Sequence, residues 1–135
     1  MSNDDIVCVI LCGGQGKRMR STNLHKVCFP INGTPAITRT IDVLKSAGLS
    51  RFLIVVGQMA EQVISTITQK HPDVFFVYQP SPRGTGHAVS CAVEVLTASK
   101  HDGLILVVMG DKVIEPYVIE RLIETHRQAN PDLTL

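Results

Sequence analysis

The run Ile6-Val7-Cys8-Val9-Ile10-Leu11 passes directly into Cys12-Gly13-Gly14-Gln15-Gly16-Lys17-Arg18-Met19-Arg20. The first six residues form an unbroken apolar stretch, the pattern of a strand buried on both faces. The residues after it are rich in glycine and positive charge. A strand that opens into such a loop reads as the start of a β-α-β unit with a ligand-binding turn at its carboxyl end.

Outward from this point the alternation of strand and helix repeats. Thr34 offers a helix N-cap and Pro35 suits the first turn, followed by the apolar stripe Ile37, Ile41 and Leu44 and a stop at Gly48. Phe52 to Val56 is a second buried strand, and Val63, Ile64 and Ile67 line a second helix ended by Pro72. Val74 to Tyr78 reads as a third strand and Gln79 to Gly86 as a loop, before a third helix with Val89, Ala92, Val93 and Leu96 on one face. Leu104 to Met109 is a fourth strand, and Pro116 opens a fourth helix carrying Val118, Ile119, Leu122 and Ile123. The order predicts an α/β fold: a doubly wound, mostly parallel sheet in three α/β/α layers. Asp132 to Leu135 reads as the first residues of a fifth strand, so the chain is expected to be a truncated larger protein with a sheet edge lacking its cover.

The 135 residues carry a formal net charge of +1, so total charge points to no nucleic-acid partner, and any electrostatic function must come from local clustering. The four cysteines, Cys8, Cys12, Cys28 and Cys91, show no C-x-x-C spacing and read as buried reduced thiols rather than a zinc or disulfide site. The apolar run after the polar start is far too short to span a bilayer, and no targeting segment is visible; the expected location is the cytoplasm. A homo-oligomer is compatible with the sequence, which does not fix the oligomeric state.

Two familiar phosphate motifs are excluded at the glycine-rich loop. The dinucleotide fingerprint needs a glycine where Met19 stands, and the P-loop needs glycine at Leu11 and Ser or Thr at Arg18. What remains is backbone able to turn tightly and bring its amides to an anion, with Lys17, Arg18, Arg20 and Lys26 as permanent cations and His25 beside them. A second piece, Gln79-Pro80-Ser81-Pro82-Arg83-Gly84-Thr85-Gly86-His87-Ala88, has glycines that permit close backbone approach, and in Gln79 a side chain with both donor and acceptor, suited to a nucleobase edge. The competing reading is a plain proline-glycine turn into a helix. The third piece is Gly110-Asp111 after the fourth strand, a carboxylate of the kind that holds Mg²⁺ together with phosphate oxygens and water. Strand order 3-2-1-4 would make strands one and four neighbours at the reversal point, so that the basic loop and Asp111 face one crevice.

Together these residues resemble the sugar-nucleotide pyrophosphorylases, nucleotidyltransferases with a Rossmann-like fold. Their signature L-x-G-G-x-G-x-R-M is matched by Leu11 to Met19, the lysine that follows by Lys26, and the next segment by Pro30-Ile31-x-Gly33-x-Pro35. Gly84-Thr85-Gly86-His87-Ala88 is similar to the N-acetylglucosamine-1-phosphate uridylyltransferases, and Val107-Val108-Met109-Gly110-Asp111 to the family's metal-binding strand end. The resemblance implies that residues 1–135 are the N-terminal nucleotide-binding part of a nucleotidyltransferase domain. It implies nucleotide contacts from Leu11, Gly13, Gly14, Gly16, Gln79, Gly84 and Thr85, catalytic roles for Arg18 on the departing pyrophosphate and Lys26 on the reacting phosphates, and Mg²⁺ on Asp111. The implied substrates are a nucleoside triphosphate, UTP first, and a sugar phosphate, N-acetylglucosamine-1-phosphate first. The alternatives are a non-catalytic nucleotide-binding subunit of the same fold and a cytidylyl- or guanylyltransferase with another acceptor.

Three positions depart from the family pattern: Lys17 in place of threonine, His25 in place of proline, and Lys112 after Asp111. An extended backbone would turn Lys112 away from the metal; any other geometry would let it pair with Asp111. The resemblance places the sugar-contacting half and a second metal ligand beyond Leu135.

Overall fold

In a computed structural model, which describes residues 3–13, 18–19, 23–112 and 114–135, the apolar run becomes strand β1 (Ile6–Cys12), with every residue buried. In chain order there follow β2 (Arg18–Met19) and β3 (Leu24–His25), a 3-10 turn over Lys26–Cys28, β4 (Pro30–Ile31), β5 (Thr34–Pro35) and α1 (Ala36–Ser46). Then come β6 (Phe52–Val56), α2 (Ala60–Thr68), β7 (Phe75–Tyr78), α3 (Thr85–Ala98), β8 (Leu104–Met109) and α4 (Pro116–Ala129).

The main sheet has the order β7-β6-β1-β8, with every pairing parallel. The expected order 3-2-1-4 is therefore present. Side chains alternate across β1. Ile6, Cys8, Ile10 and Cys12 pack against α1, α2 and α4 through Ile37, Ile41, Val63, Ile67, Ile119 and Ile123. Val7, Val9 and Leu11 turn to the other face and meet Ala88, Ala92 and Leu96 of α3. This is the α/β/α sandwich that an all-apolar central strand requires.

Several local expectations are corrected. Thr34 is no N-cap: Thr34–Pro35 pairs with Pro30–Ile31 across the Asn32-Gly33 turn. Helix α1 starts at Ala36, whose amide donates to the Phe29 carbonyl at 3.0 Å, and no side chain caps it. Helix α2 closes at Thr68, ahead of Pro72, and α3 begins at Thr85 inside the stretch read as loop. Val93 and Val118 are exposed, because α3 packs through Ala88, Ala92 and Leu96 and α4 through Ile119 and Ile123. Asp132 to Leu135 form no strand, and Leu133 and Leu135 lie exposed.

At the sheet's end, β8 pairs with β1 such that Ile105, Val107 and Met109 lie opposite Val7, Val9 and Leu11 on the α3 face. Helix α3 sits over β1, β6 and β7, and these three β8 side chains stay 42%, 42% and 36% exposed. All four cysteines are free, with Cys8, Cys12 and Cys28 buried. Burial pushes the Cys8 thiol up to about 12 and raises Cys12 and Cys28 as well, so these sulfurs stay protonated and inert.

His25 caps the 3-10 turn. Its Nδ1 accepts from the Val27 amide at 3.1 Å, which leaves the proton of the neutral ring on Nε2. The ring is 1% exposed, and Nε2 has no hydrogen-bond partner among the described residues. Burial is the main cause that lowers its pKa, with the Lys26 charge adding to it. Asp111 and the nearby Cys12 backbone pull the other way without reversing the shift.

Two outcomes follow for stability. Ile10 is fully buried in β1, so Ile10→Ala is expected to cost about 2–5 kcal/mol in urea denaturation, against less than about 1 kcal/mol for Ile105→Ala on the exposed strip. A lowered folded-state pKa means that the unfolded chain takes up the His25 proton first, so stability is complete above the unfolded value and declines as pH falls below about 6.5. Unfolding midpoints measured between pH 7.5 and 5.5 should drop for the wild type and drop less for His25→Asn, which keeps a capping acceptor; equal slopes would remove His25 as the cause.

Candidate active site

Parallel pairing sends the carboxyl ends of β1, β6, β7 and β8 to one rim, where the chain encloses a cavity of about 360 Å³. Leu11, Gly13, Lys26, Gln79, Gly84, Thr85 and Asp111 line it together, with Pro82, Ala88 and Met109 as apolar wall. These residues come from five separate segments. The volume is that of a small-molecule site.

Asp111 stands one residue beyond Gly110, at the end of β8. A Cβ on Gly110 would lie 2.6 Å from Cys12 Sγ and 3.2 Å from the Leu11 carbonyl oxygen, so glycine lets β8 turn tightly against the end of β1. The Gly110 amide donates to the Leu11 carbonyl at 3.0 Å. From α1, the Thr40 hydroxyl lies 3.3 Å from the Gly110 carbonyl, 3.2 Å from that of Lys112 and 3.1 Å from that of Ala36. Thr40 thus ties the Asp111 turn to the helix layer.

Lys26 enters from the opposite wall, on the 3-10 turn capped by His25. The His25 amide donates to Gln62 Oε1 on α2 at 2.6 Å, and Gln62 Nε2 donates to the Asn23 carbonyl at 3.4 Å. So braced, Lys26 Nζ reaches Asp111 Oδ2 at 3.3 Å, with the side chains 39% and 27% exposed. Asp111 therefore pairs across the cavity with Lys26, while the Lys112 side chain is exposed and its carbonyl faces Thr40.

Gln79 directly follows β7, its amide donating to the Val56 carbonyl at 2.7 Å. Its side chain is 3% exposed and lies so close to the β1 terminus that a Cβ on Gly13 would come 2.9 Å from Oε1. Gln79 Nε2 donates to the Gly84 carbonyl at 3.4 Å and lies 3.0 Å from His87 Nδ1. Gly84 has a φ of +94°, which an L side chain rarely adopts, and it opens α3 without a side-chain cap. The first amides of α3 are thus left without a side-chain acceptor, at the positive end of the helix dipole and at the cavity wall.

Of the remaining candidates, Gly14 and Gly16 lie outside the described residues, as does Lys17. Arg18 is described through its backbone, which pairs with His25 in the β2–β3 hairpin. Sequence reading missed Thr40, Gln62 and His87 as parts of the site. Thr40 carried a signal, a hydroxyl three residues after Ile37 on an otherwise apolar stripe; Gln62 carried none. Among the described residues, no cluster of three or more His, Cys, Asp or Glu side chains is placed to hold a metal ion, so Asp111 offers a single carboxylate. No described helix is long and apolar enough to cross a membrane.

The chain is 40% identical over 119 residues to the bifunctional protein GlmU of Shouchella clausii, a match covering 87% of this chain and 25% of that protein. It spans about a quarter of the length of the curated relatives it matches. A nucleotidyl transferase from Methanothermobacter thermautotroptrophicus superposes with a TM-score of 0.69 at 26% identity, covering 88% of this chain and 56% of that one. HddC from Yersinia pseudotuberculosis, in complex with GMP-PN, gives a TM-score of 0.71 at 26% identity, with 89% and 53% covered. The family model of the MobA-like NTP transferase domain matches residues 8–135, and the chain belongs to that family.

Proposed function

We propose that this chain is the nucleotide-binding part of an enzyme that transfers a nucleotidyl group from UTP to a sugar 1-phosphate, N-acetylglucosamine-1-phosphate, with release of pyrophosphate. The observation that carries the proposal is the meeting of Lys26 and Asp111 at 3.3 Å in the cavity that also holds Gln79. A cation for phosphates, a carboxylate for a metal and an amide for a base are what binding a nucleoside triphosphate requires. The GlmU relatives support a sugar-phosphate acceptor.

The reaction is an in-line displacement. A phosphate-monoester oxygen forms a bond to the α-phosphorus while the bond from that phosphorus to the pyrophosphate oxygen breaks. The obstacle is charge: at an effective dielectric near 20, two like unit charges about 4 Å apart repel by roughly 4 kcal/mol. Lys26 would hold the reacting phosphates and Arg18 the departing pyrophosphate, offsetting that repulsion. Asp111 suits Mg²⁺, an ion content with one or two carboxylates that completes its shell with phosphate and water. When bound there, Mg²⁺ would neutralise phosphate charge. Lys26 then has two successive partners, Asp111 in the free chain and phosphate in the complex.

Gln79 supports uracil. The Gly84 carbonyl can only accept, so the amide atom facing it is Nε2, and Oε1 is the atom that would accept from a ligand. Uracil N3–H donates to such an oxygen, whereas N3 of neutral cytosine is itself an acceptor. GTP belongs in the comparison because HddC, the structural relative, is complexed with GMP-PN.

Pyrophosphate release by the full-length protein with N-acetylglucosamine-1-phosphate is expected to be fastest with UTP, ahead of CTP and GTP. Binding of UTP with no release from any sugar phosphate would identify a non-catalytic nucleotide-binding protein instead. Removing one fixed phosphate donor costs about 3–4 kcal/mol in the transition state, so Lys26→Ala should lower turnover about 100- to 1000-fold, and a change under threefold would take Lys26 out of the mechanism. Asp111→Asn should raise the Mg²⁺ concentration needed for half-maximal activity at least about tenfold; an unchanged Mg²⁺ titration would move the metal site elsewhere.

A further inference from the structure

His87 touches Gln79, the side chain proposed above to meet the base. It is the third residue of α3, and its Nδ1 lies 3.0 Å from Gln79 Nε2. Gln79 Nε2 also donates to the Gly84 carbonyl, which already accepts the Ala88 amide at 3.1 Å in the first turn of α3. A carbonyl has two acceptor lone pairs, so both bonds stand together. With Nε2 as donor to Gly84, Nδ1 of His87 must accept, and the ring proton sits on its Nε2.

We propose that His87 is a positioning residue that sets nucleobase choice by locking the Gln79 amide. Rotating that amide by half a turn would set Oε1 against the Gly84 carbonyl, acceptor against acceptor, and would keep the His87 contact only if the ring proton moved from Nε2 to Nδ1. The lock therefore holds Oε1 toward the cavity and Nε2 away from it. A pyrimidine that donates at N3 is accepted; one that accepts there meets an oxygen. The Gly84 contact alone, at 3.4 Å, is a long hydrogen bond, and His87 supplies the shorter one. This inference rests on the reading of the cavity as a nucleotide site.

The test is the ratio of UTP to CTP affinity, measured by titrating each nucleotide with Mg²⁺ into the full chain. Three variants are needed: His87→Leu removes the acceptor, His87→Asn retains one near the Nδ1 position, and Gln79→Leu removes the group being positioned. His87 is only half-buried, so its replacement leaves the core intact. His87→Leu should reduce the UTP preference about tenfold, mostly through weaker UTP binding, and His87→Asn should stay within about threefold of the wild type. Equal weakening of both nucleotides in His87→Leu, or an unchanged ratio, overturns the lock. If Gln79→Leu loses the preference while His87→Leu keeps it, the lock alone is wrong. If Gln79→Leu keeps the wild-type preference, or the wild type binds neither nucleotide, the base reading of the cavity is wrong and the lock falls with it.

Discussion

Strand β1 has a parallel partner on each side, and that double pairing decides where every other group arrives. Because β6, β1 and β8 run in one direction, their carboxyl ends, with that of β7, reach the same rim. An antiparallel neighbour would have carried Asp111 to the opposite end of the sheet. The apolar content of β1 enforces the arrangement, since a strand with no polar face must be covered on both. The cavity is thus a by-product of core burial, and its dimensions depend on two glycines, Gly13 and Gly110, where a methyl group would meet Gln79 and Cys12.

How much of this was legible in the sequence differs from residue to residue. Strands two and four were readable to the residue, because apolar runs of that length bounded by turn residues have few alternatives. The meeting of Lys26 with Asp111 was readable in outline, since it follows from parallel topology once the strands are placed. The start of α1 was not. Thr34 has the chemistry of a cap, but it pairs with Ile31 in a hairpin that sequence pattern does not reveal, and the helix opens two residues later. The exposure of Val93 has the same origin, since a helix face is chosen by what the sheet offers and not by apolar spacing alone. Gln62 was missed because it acts through the backbone of other residues and leaves no trace in a single sequence, whereas Thr40 and His87 stood in readable segments whose contacts only the fold reveals.

Among its described lining residues the cavity keeps few charges. Burial holds His25 neutral and the Cys12 thiol protonated, so among the described lining residues the charged side chains are Lys26 and Asp111. They stand as an opposed pair, half in water, which limits the cost of holding them at a partly apolar wall. Around them the described residues present orientation more than charge: a fixed amide at Gln79, an uncapped helix start at Thr85 and a braced turn at Lys26.

The exposed strip on β8 bears on how the molecule behaves in company. Ile105, Val107 and Met109 form an apolar band on the last strand of the sheet, a combination that favours sticking between copies. A formal net charge of +1 supplies little long-range repulsion to keep two such bands apart. Crowding therefore favours contact through that band, whereas a lysine in place of Ile105, which does not line the cavity, would oppose it.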